Sequence, residues 1–168
     1  MARKIWTAIL CLSLLFSLSA CGTTNEPNTG AIGSSESSSY ESVEGTKIKM
    51  ITDNTEVVIT LNGSRAAADL VKMLPLELTL IERNSFAKGM TLPQQLSSEE
   101  ATTREYEIGD FGYWNAGPDL AIFYDDIYEQ TIVEVIPLGH ADSDAETMAN
   151  EEGTVRIELL TEKENRQK

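Results

Sequence analysis

Short runs in which apolar and polar residues alternate dominate the chain from Lys47 to Thr161. A period of two marks strands with one face buried and the other wet, and it leaves little room for a helical fold. Ile48 and Met50 alternate with Lys47 and Lys49, and Val57, Ile59 and Leu61 with Glu56 and Thr60. Asp53-Asn54 between them is a turn signal. Leu76, Leu78 and Leu80 face one way, with Glu77, Thr79 and Arg83 opposite. Further strands are expected at Phe111–Trp114, Leu120–Tyr124, Ile132–Leu138 and Thr154–Leu160. The last is the cleanest, with Val155, Ile157 and Leu159 set against Arg156 and Glu158.

Two segments break the period. Ser64 can cap a helix whose apolar face is Ala67, Leu70, Val71 and Leu74, stopped by Pro75. Asp142 or Ser143 can cap a shorter one carrying Ala145, Met148 and Ala149, with Asp144 and Glu146 in the first turn, ending near Gly153. Two small helices are too few for a doubly wound sheet. The pattern predicts a mainly β fold, a closed eight-stranded antiparallel barrel capped by two short helices. An α+β sandwich is the alternative.

Residues 1–20 read as a lipoprotein signal peptide and stand outside the fold. Arg3 and Lys4 precede an apolar run, Ile5 to Leu18, that is shorter than the ~20 residues a bilayer-spanning helix needs. The run ends at Leu18-Ser19-Ala20-Cys21, which matches the lipobox of bacterial lipoproteins. Small residues at 19 and 20 suit a peptidase cleft, and the Cys21 thiol can take the diacylglyceryl group. Residues 21–46 then form a lipidated cysteine and a tether rich in Ser, Thr and Asn, with a root-mean-square span of roughly 27 Å. Residues 47–161 are the expected domain and 162–168 a polar tail. The chain has two cysteines, Cys11 and Cys21; processing would remove the first and lipidation consume the second. No thiol is then left for a disulfide, a thiolate metal site or a cysteine nucleophile.

The 168 residues carry 27 Asp plus Glu against 13 Lys plus Arg, a net charge of -14. Nucleic acid is excluded as a partner, because phosphate neutralisation supplies most of such affinity. An anionic bilayer would repel the body as well, so the expected hold on the membrane is the lipid on Cys21. The expected location is the extracytoplasmic face of the cell membrane. In a two-membrane cell it is the outer membrane, since Gly22 is not the aspartate of the inner-membrane retention signal.

The order of segments resembles the small bacterial cyclophilin-like domains. Ser64-Arg-Ala-Ala-Ala-Asp-Leu through Met73-Leu-Pro-Leu-Glu-Leu-Thr-Leu80 looks like their opening. Leu92-Pro93-Gln94-Gln95-Leu96 follows, then Gly109-Asp110-Phe111-Gly112-Tyr113-Trp114, then Ile136-Pro137-Leu138-Gly139 before a short helix and a final strand. The resemblance implies the barrel already predicted. The enzymatic cyclophilins, more distant cousins, rotate Xaa-Pro amides over a barrier of ~18–20 kcal/mol. They place an arginine near the proline nitrogen beside an apolar pocket. Their Phe-His-Arg strand is absent here, and Gln94 and Gln95 stand where the small domains often carry a basic residue. Asn115-Ala116-Gly117-Pro118 echoes a cyclophilin loop and then runs directly into a strand.

No catalytic residue and no metal site is assigned from the sequence, and no cofactor is implied. His140 is the single histidine, which removes a histidine-rich metal cluster. Asp142-Ser143-Asp144-Ala145-Glu146 alternates like a calcium loop but lacks the bend glycine and the distal glutamate. Candidate binding residues gather around the Gly109–Trp114 strand. Alternation puts Phe111 and Tyr113 on one face and Gly112 and Trp114 on the other. One face belongs to the core. The other, with Phe123 or Tyr124, would line a shallow groove on the barrel wall. Tyr113, Trp114, Phe123, Arg83, Phe86 and Gln94 are the groove candidates. The expected function is a non-enzymatic binding or interaction module whose ligand, a protein segment or peptide of the cell envelope or a small molecule, the sequence does not identify, with prolyl isomerisation of exported proteins as the alternative.

Overall fold

The structure is a computed structural model that describes residues 40–128 and 130–165. The signal peptide, Cys21 and the tether as far as residue 39 lie outside the described residues. β1 (Lys47–Ile51) and β2 (Glu56–Leu61) form a hairpin over the Asp53-Asn54 turn. There the Thr52 amide donates to the Thr55 carbonyl at 3.0 Å. α1 (Arg65–Met73) follows, and Ser64 Oγ accepts from the Ala67 amide at 3.1 Å as its N-cap. Then come β3 (Leu76–Thr79), β4 (Ile81–Arg83), β5 (Ala87–Thr91), β6 (Asp110–Trp114), β7 (Asp119–Phe123) and β8 (Ile136–Ala141). A 3-10 helix at Ala145–Asn150, β9 (Thr154–Leu159) and α2 (Glu162–Asn165) complete the chain.

All pairings are antiparallel, in the order β3-β9-β1-β2-β8-β6-β7-β5-β4. The two ends of that list are halves of one segment, Leu76–Arg83, interrupted at Leu80. Its first half bonds to β9 and its second to β5. Leu80 itself stays tied through its amide, which donates to Gly153 O at 2.8 Å. The sheet therefore closes, and no long edge is left to template association. Nine strands are seen where eight were expected, and the excess is this one broken strand.

Inward-facing residues of β1, β2 and β5 to β9 fill the barrel: Ile48, Met50, Val57, Ile59, Met90, Phe111, Tyr113, Leu120, Ile122, Leu138, Val155 and Ile157 are fully buried. Ala66, Ala67 and Leu70 of α1 join this cluster, as do Ala145 and Met148 of the 3-10 helix. Both helices thus bury their apolar faces against the barrel interior.

Several expectations are corrected. The strand expected from Ile132 begins only at Ile136; Ile132 and Val133 are exposed. β5 was not expected, and the expected run from Leu76 to Arg83 is divided at Leu80 into β3 and β4. Asn84 and Ser85, both at positive φ, form the tight turn that joins β4 to β5. The second helix is 3-10 rather than α, and neither Asp142 nor Ser143 caps it. Asp142 pairs with Lys47 and accepts from the Thr60 hydroxyl at 2.6 Å instead. Residues 40–46, expected in the tether, are part of the fold. Val43 packs on the core, Gly45 and Leu61 are joined by a 2.9 Å backbone bond, and the Tyr40 hydroxyl donates to Gly63 O.

The tail is docked as well. Lys49 is only 7% exposed, and its ammonium meets Glu158 at 3.2 Å and Glu164 at 2.5 Å. The hydrogen bond from Lys49, then those from Thr161, draw the Glu164 carboxyl from its ordinary 4.5 down to about 2. A carboxyl lowered in the folded state stabilises the docked tail fully above its ordinary value, and that contribution fades as pH falls from 4.5 toward 2. Protection of the Thr161 and Glu164 amides, taken relative to their intrinsic exchange at each pH, should therefore fall as pH drops through this window, and Glu164→Gln should leave that protection low already at neutral pH and unmoved by acid. A second expectation concerns Gly139. A Cβ there would run into the Thr60 carbonyl oxygen, which is backbone and cannot give way. Gly139→Ala should lower stability in urea unfolding by about 1–3 kcal/mol.

Candidate functional site

The barrel wall made by β4, β5, β7 and β6 has a second apolar face, turned outward. Register places Arg83 beside Ala87, Gly89 beside Ala121, and Trp114 beside Asp119. The outward positions between the large side chains are small: Ala87, Gly89, Ala121 and Gly112. Gly112 faces Pro137 across a bulge and leaves room for the Val135 side chain. Phe86, Ala87, Tyr106, Ala121, Phe123 and Val135 form a separate buried cluster there, with Trp114 packed against it.

Aromatic contacts hold this cluster together. Tyr106 stacks on Phe123 with ring centroids 4.6 Å apart, and Phe86 lies 5.2 Å from Tyr106 and 5.7 Å from Phe123. Tyr128 meets Phe86 edge-on at 5.4 Å, and Trp114 meets Phe123 edge-on at 6.3 Å. Both edge-on pairs match the quadrupole preference of aromatic rings. The segment after β7 is tied back over the wall. The Tyr124 amide donates to Phe86 O at 2.9 Å, the Tyr128 amide to the Tyr106 hydroxyl at 3.0 Å, and the Thr131 amide to Arg104 O at 2.7 Å.

Between that segment and the wall lies a cleft of about 640 Å³. Phe86 and Trp114 line its barrel side, and Tyr128, Gln130, Thr131, Ile132 and Val133 its outer side. Arg83, Asn84, Ala116, Gly117 and Asp119 complete it. Its volume and its apolar lining with few polar groups are those of a small-ligand or peptide site. Ile132 is 84% exposed at the rim.

The charged groups of the cleft, Arg83 and Asp119, meet at one corner. An Arg83 terminal nitrogen, Nη2, donates to Asp119 Oδ2 at 2.7 Å, and the Thr91 hydroxyl donates to Asp119 Oδ1 at 2.6 Å. The guanidinium carbon sits 5.9 Å from the Trp114 ring centroid, a cation–π distance. Two buried donors have no partner, Arg83 Nε and Trp114 Nε1, and both belong to residues of this cleft. They are the buried side-chain polar atoms left unpaired among the described residues. Native structures leave few such groups, so two in one cleft call for an explanation.

Of the groove candidates, Arg83, Phe86 and Trp114 line the cleft, and Phe123 is buried beneath Trp114. Tyr113 faces the barrel interior, where its hydroxyl accepts from the Leu96 amide at 3.3 Å. Gln94 is exposed in the segment after β5 and is not part of the cleft. Tyr124 is buried too; burial first, then its 2.8 Å hydrogen bond to Glu82, pushes its hydroxyl far above the usual range. His140 lies within β8 and meets Asp110 at 3.0 Å on the surface. Among the described residues no cluster of His, Cys, Asp and Glu is placed to hold a metal ion, and no helix is long and apolar enough to cross a membrane. Sequence reasoning missed Asp119, Tyr128, Ile132 and Val133. The Asn84-Ser85 turn was the available signal for the hairpin that carries Arg83.

Gly89 offers a test of this corner. A Cβ at Gly89 would stand 2.7 Å from Arg83 Nε, the far part of a flexible side chain. Gly89→Ala should therefore move the Arg83 guanidinium and change Trp114 fluorescence, while unfolding stability stays within about 1 kcal/mol.

A model of the cyclophilin-like family matches residues 50–159. No curated protein matches the chain. Among solved structures it resembles the hypothetical protein AF2241 from Archaeoglobus fulgidus, with a TM-score of 0.60 at 17% identity, covering 71% of this chain and 98% of that one. It also resembles McbB, solved in complex with tryptophan, with a TM-score of 0.51 at 13% identity, covering 66% of this chain and 44% of that one. At these identities the likeness is one of fold. The family match spans the closed barrel and the cleft on its wall, and the chain belongs to the cyclophilin-like family.

Proposed function

We propose that the protein is a membrane-anchored, extracytoplasmic lipoprotein whose cyclophilin-like barrel serves as a binding module, with the wall cleft as its binding site. The observation that carries the binding reading is the cleft itself: an aromatic floor of Phe86 and Trp114, a rim of Tyr128, Ile132 and Val133, and one polar corner at Arg83 and Asp119. Three apolar rim residues left exposed on a tied-down segment favour a partner that covers them. The Leu18-Ser19-Ala20-Cys21 sequence supports the lipid anchor, and the polar residues that follow support a tether.

One observation favours a second reading. Arg83 places a cation beside an apolar pocket, the combination that prolyl isomerisation requires. Its guanidinium is already engaged by Asp119, however, and the enzymes' Phe-His-Arg strand is absent. Binding without catalysis is therefore the preferred reading.

Two measurements test it. Wild-type protein should partition with membranes and carry the mass of a diacylglyceryl group on Cys21, and Cys21→Ser should release it to the soluble fraction. NMR exchange spectroscopy with Xaa-Pro peptides should show shifts at the Trp114 indole without faster cis/trans exchange. Accelerated exchange at substoichiometric protein, abolished by Arg83→Gln, would replace the binding reading with the isomerase.

A further inference from the structure

We propose that Asp119 sets the charge selectivity of the cleft, so that it takes ligands presenting an uncharged carbonyl acceptor beside an apolar side chain and turns carboxylates away. This rests on the reading of the cleft as a binding site.

The cleft's polar corner is rich in donors. Arg83 Nε and Trp114 Nε1 lack partners, and the Arg83 guanidinium has only one bond, to Asp119. A buried donor without an acceptor is costly, so a ligand that supplies a lone pair at this corner gains what the free protein forgoes. Arg83 and Trp114 are both partly exposed, and both line the cleft. A corner with an arginine would ordinarily select an anion.

Asp119 removes that preference. Its carboxylate lies 2.7 Å from the guanidinium, so the pair carries no net charge. The Asp119 side chain is 17% exposed and held on its other oxygen by Thr91, which keeps it from swinging away to make room for a second carboxylate. A ligand carboxylate would sit close to Asp119 with its charge uncompensated, inside the field of a chain of net charge -14. Asp125 and Asp126, exposed at the start of the segment that forms the outer wall, add to that field. An amide carbonyl meets the same donors without this repulsion. The apolar rim then takes the neighbouring side chain.

The test uses two probes that differ only in charge, N-acetyl-Leu-Phe-amide and N-acetyl-Leu-Phe as the free acid. Trp114 is the sole tryptophan once Trp6 is replaced, so the protein carrying Trp6→Phe reports binding at the cleft through its fluorescence. At low salt the amide should bind at least about tenfold more tightly than the acid, and the ratio should shrink as salt screens the charges. Asp119→Asn should lower that ratio about tenfold, and Arg83→Gln, which leaves Asp119 uncompensated, should raise it. Equal or tighter binding of the acid by the unaltered cleft, or a ratio unmoved in both variants, overturns the selectivity while leaving the binding reading in place. Failure of both probes to bind the unaltered cleft overturns the binding reading and the selectivity with it.

Discussion

The segment Leu76–Arg83 bonds to β9 with its first half and to β5 with its second, and this double engagement turns a sheet into a barrel. Closure removes the sheet's edges and commits every inward side chain to one packed interior. That interior is full, with Phe111 and Tyr113 among its largest buried residues. A site on this barrel is built outside it, where the wall supplies a second apolar face.

The wall does so through contrasts of size. Small outward residues on β5, β6 and β7 let Phe86, Tyr106 and Val135 pack down onto the sheet, and Gly89 lets Arg83 lie across it. The segment from Tyr124 to Val135 then has an apolar surface to rest on, and backbone bonds to Phe86 and Arg104 fix it there. The cleft is the gap between this segment and the wall. Its one charged corner belongs to the sheet itself, since Arg83 ends β4 and Asp119 begins β7.

Much of the barrel was legible because burial on one face of a strand enforces a period of two. The strands of the β1–β2 hairpin and the inward Val155 and Ile157 of β9 follow from that rule, the helix behind Ser64 shows as a break in it, and Leu159, expected on the inward face of β9, is exposed. The rule fails where apolar residues serve a surface. Ile132 and Val133 look like the start of a strand, and they are the exposed rim of the cleft instead. Lys88 hides β5 in the opposite way: a lysine in an inward position reads as solvent-facing, yet it is buried with its ammonium 2.8 Å from Glu82. Alternation separated Tyr113 from Trp114 but could not say which face was core. Register decides it, because Trp114 is paired with Asp119 on the outer side. The polar corner was illegible for a related reason, as Arg83 and Asp119 lie far apart in sequence and meet only through the strand between them.

The attachment of residues 40–46 to β2 has a mechanical consequence. Tyr40 is fastened at Gly63, and Gly45 and Thr46 are bonded to Leu61. A pull arriving from the N-terminal side is therefore taken up by β1 and β2 together, before it reaches the rest of the sheet. In the strand order β8 stands between β2 and β6, which carries Trp114 of the cleft's floor, and β6 in turn stands before β7. A load drawn along the chain is shared among these hydrogen-bonded strands before it reaches Arg83 and Asp119.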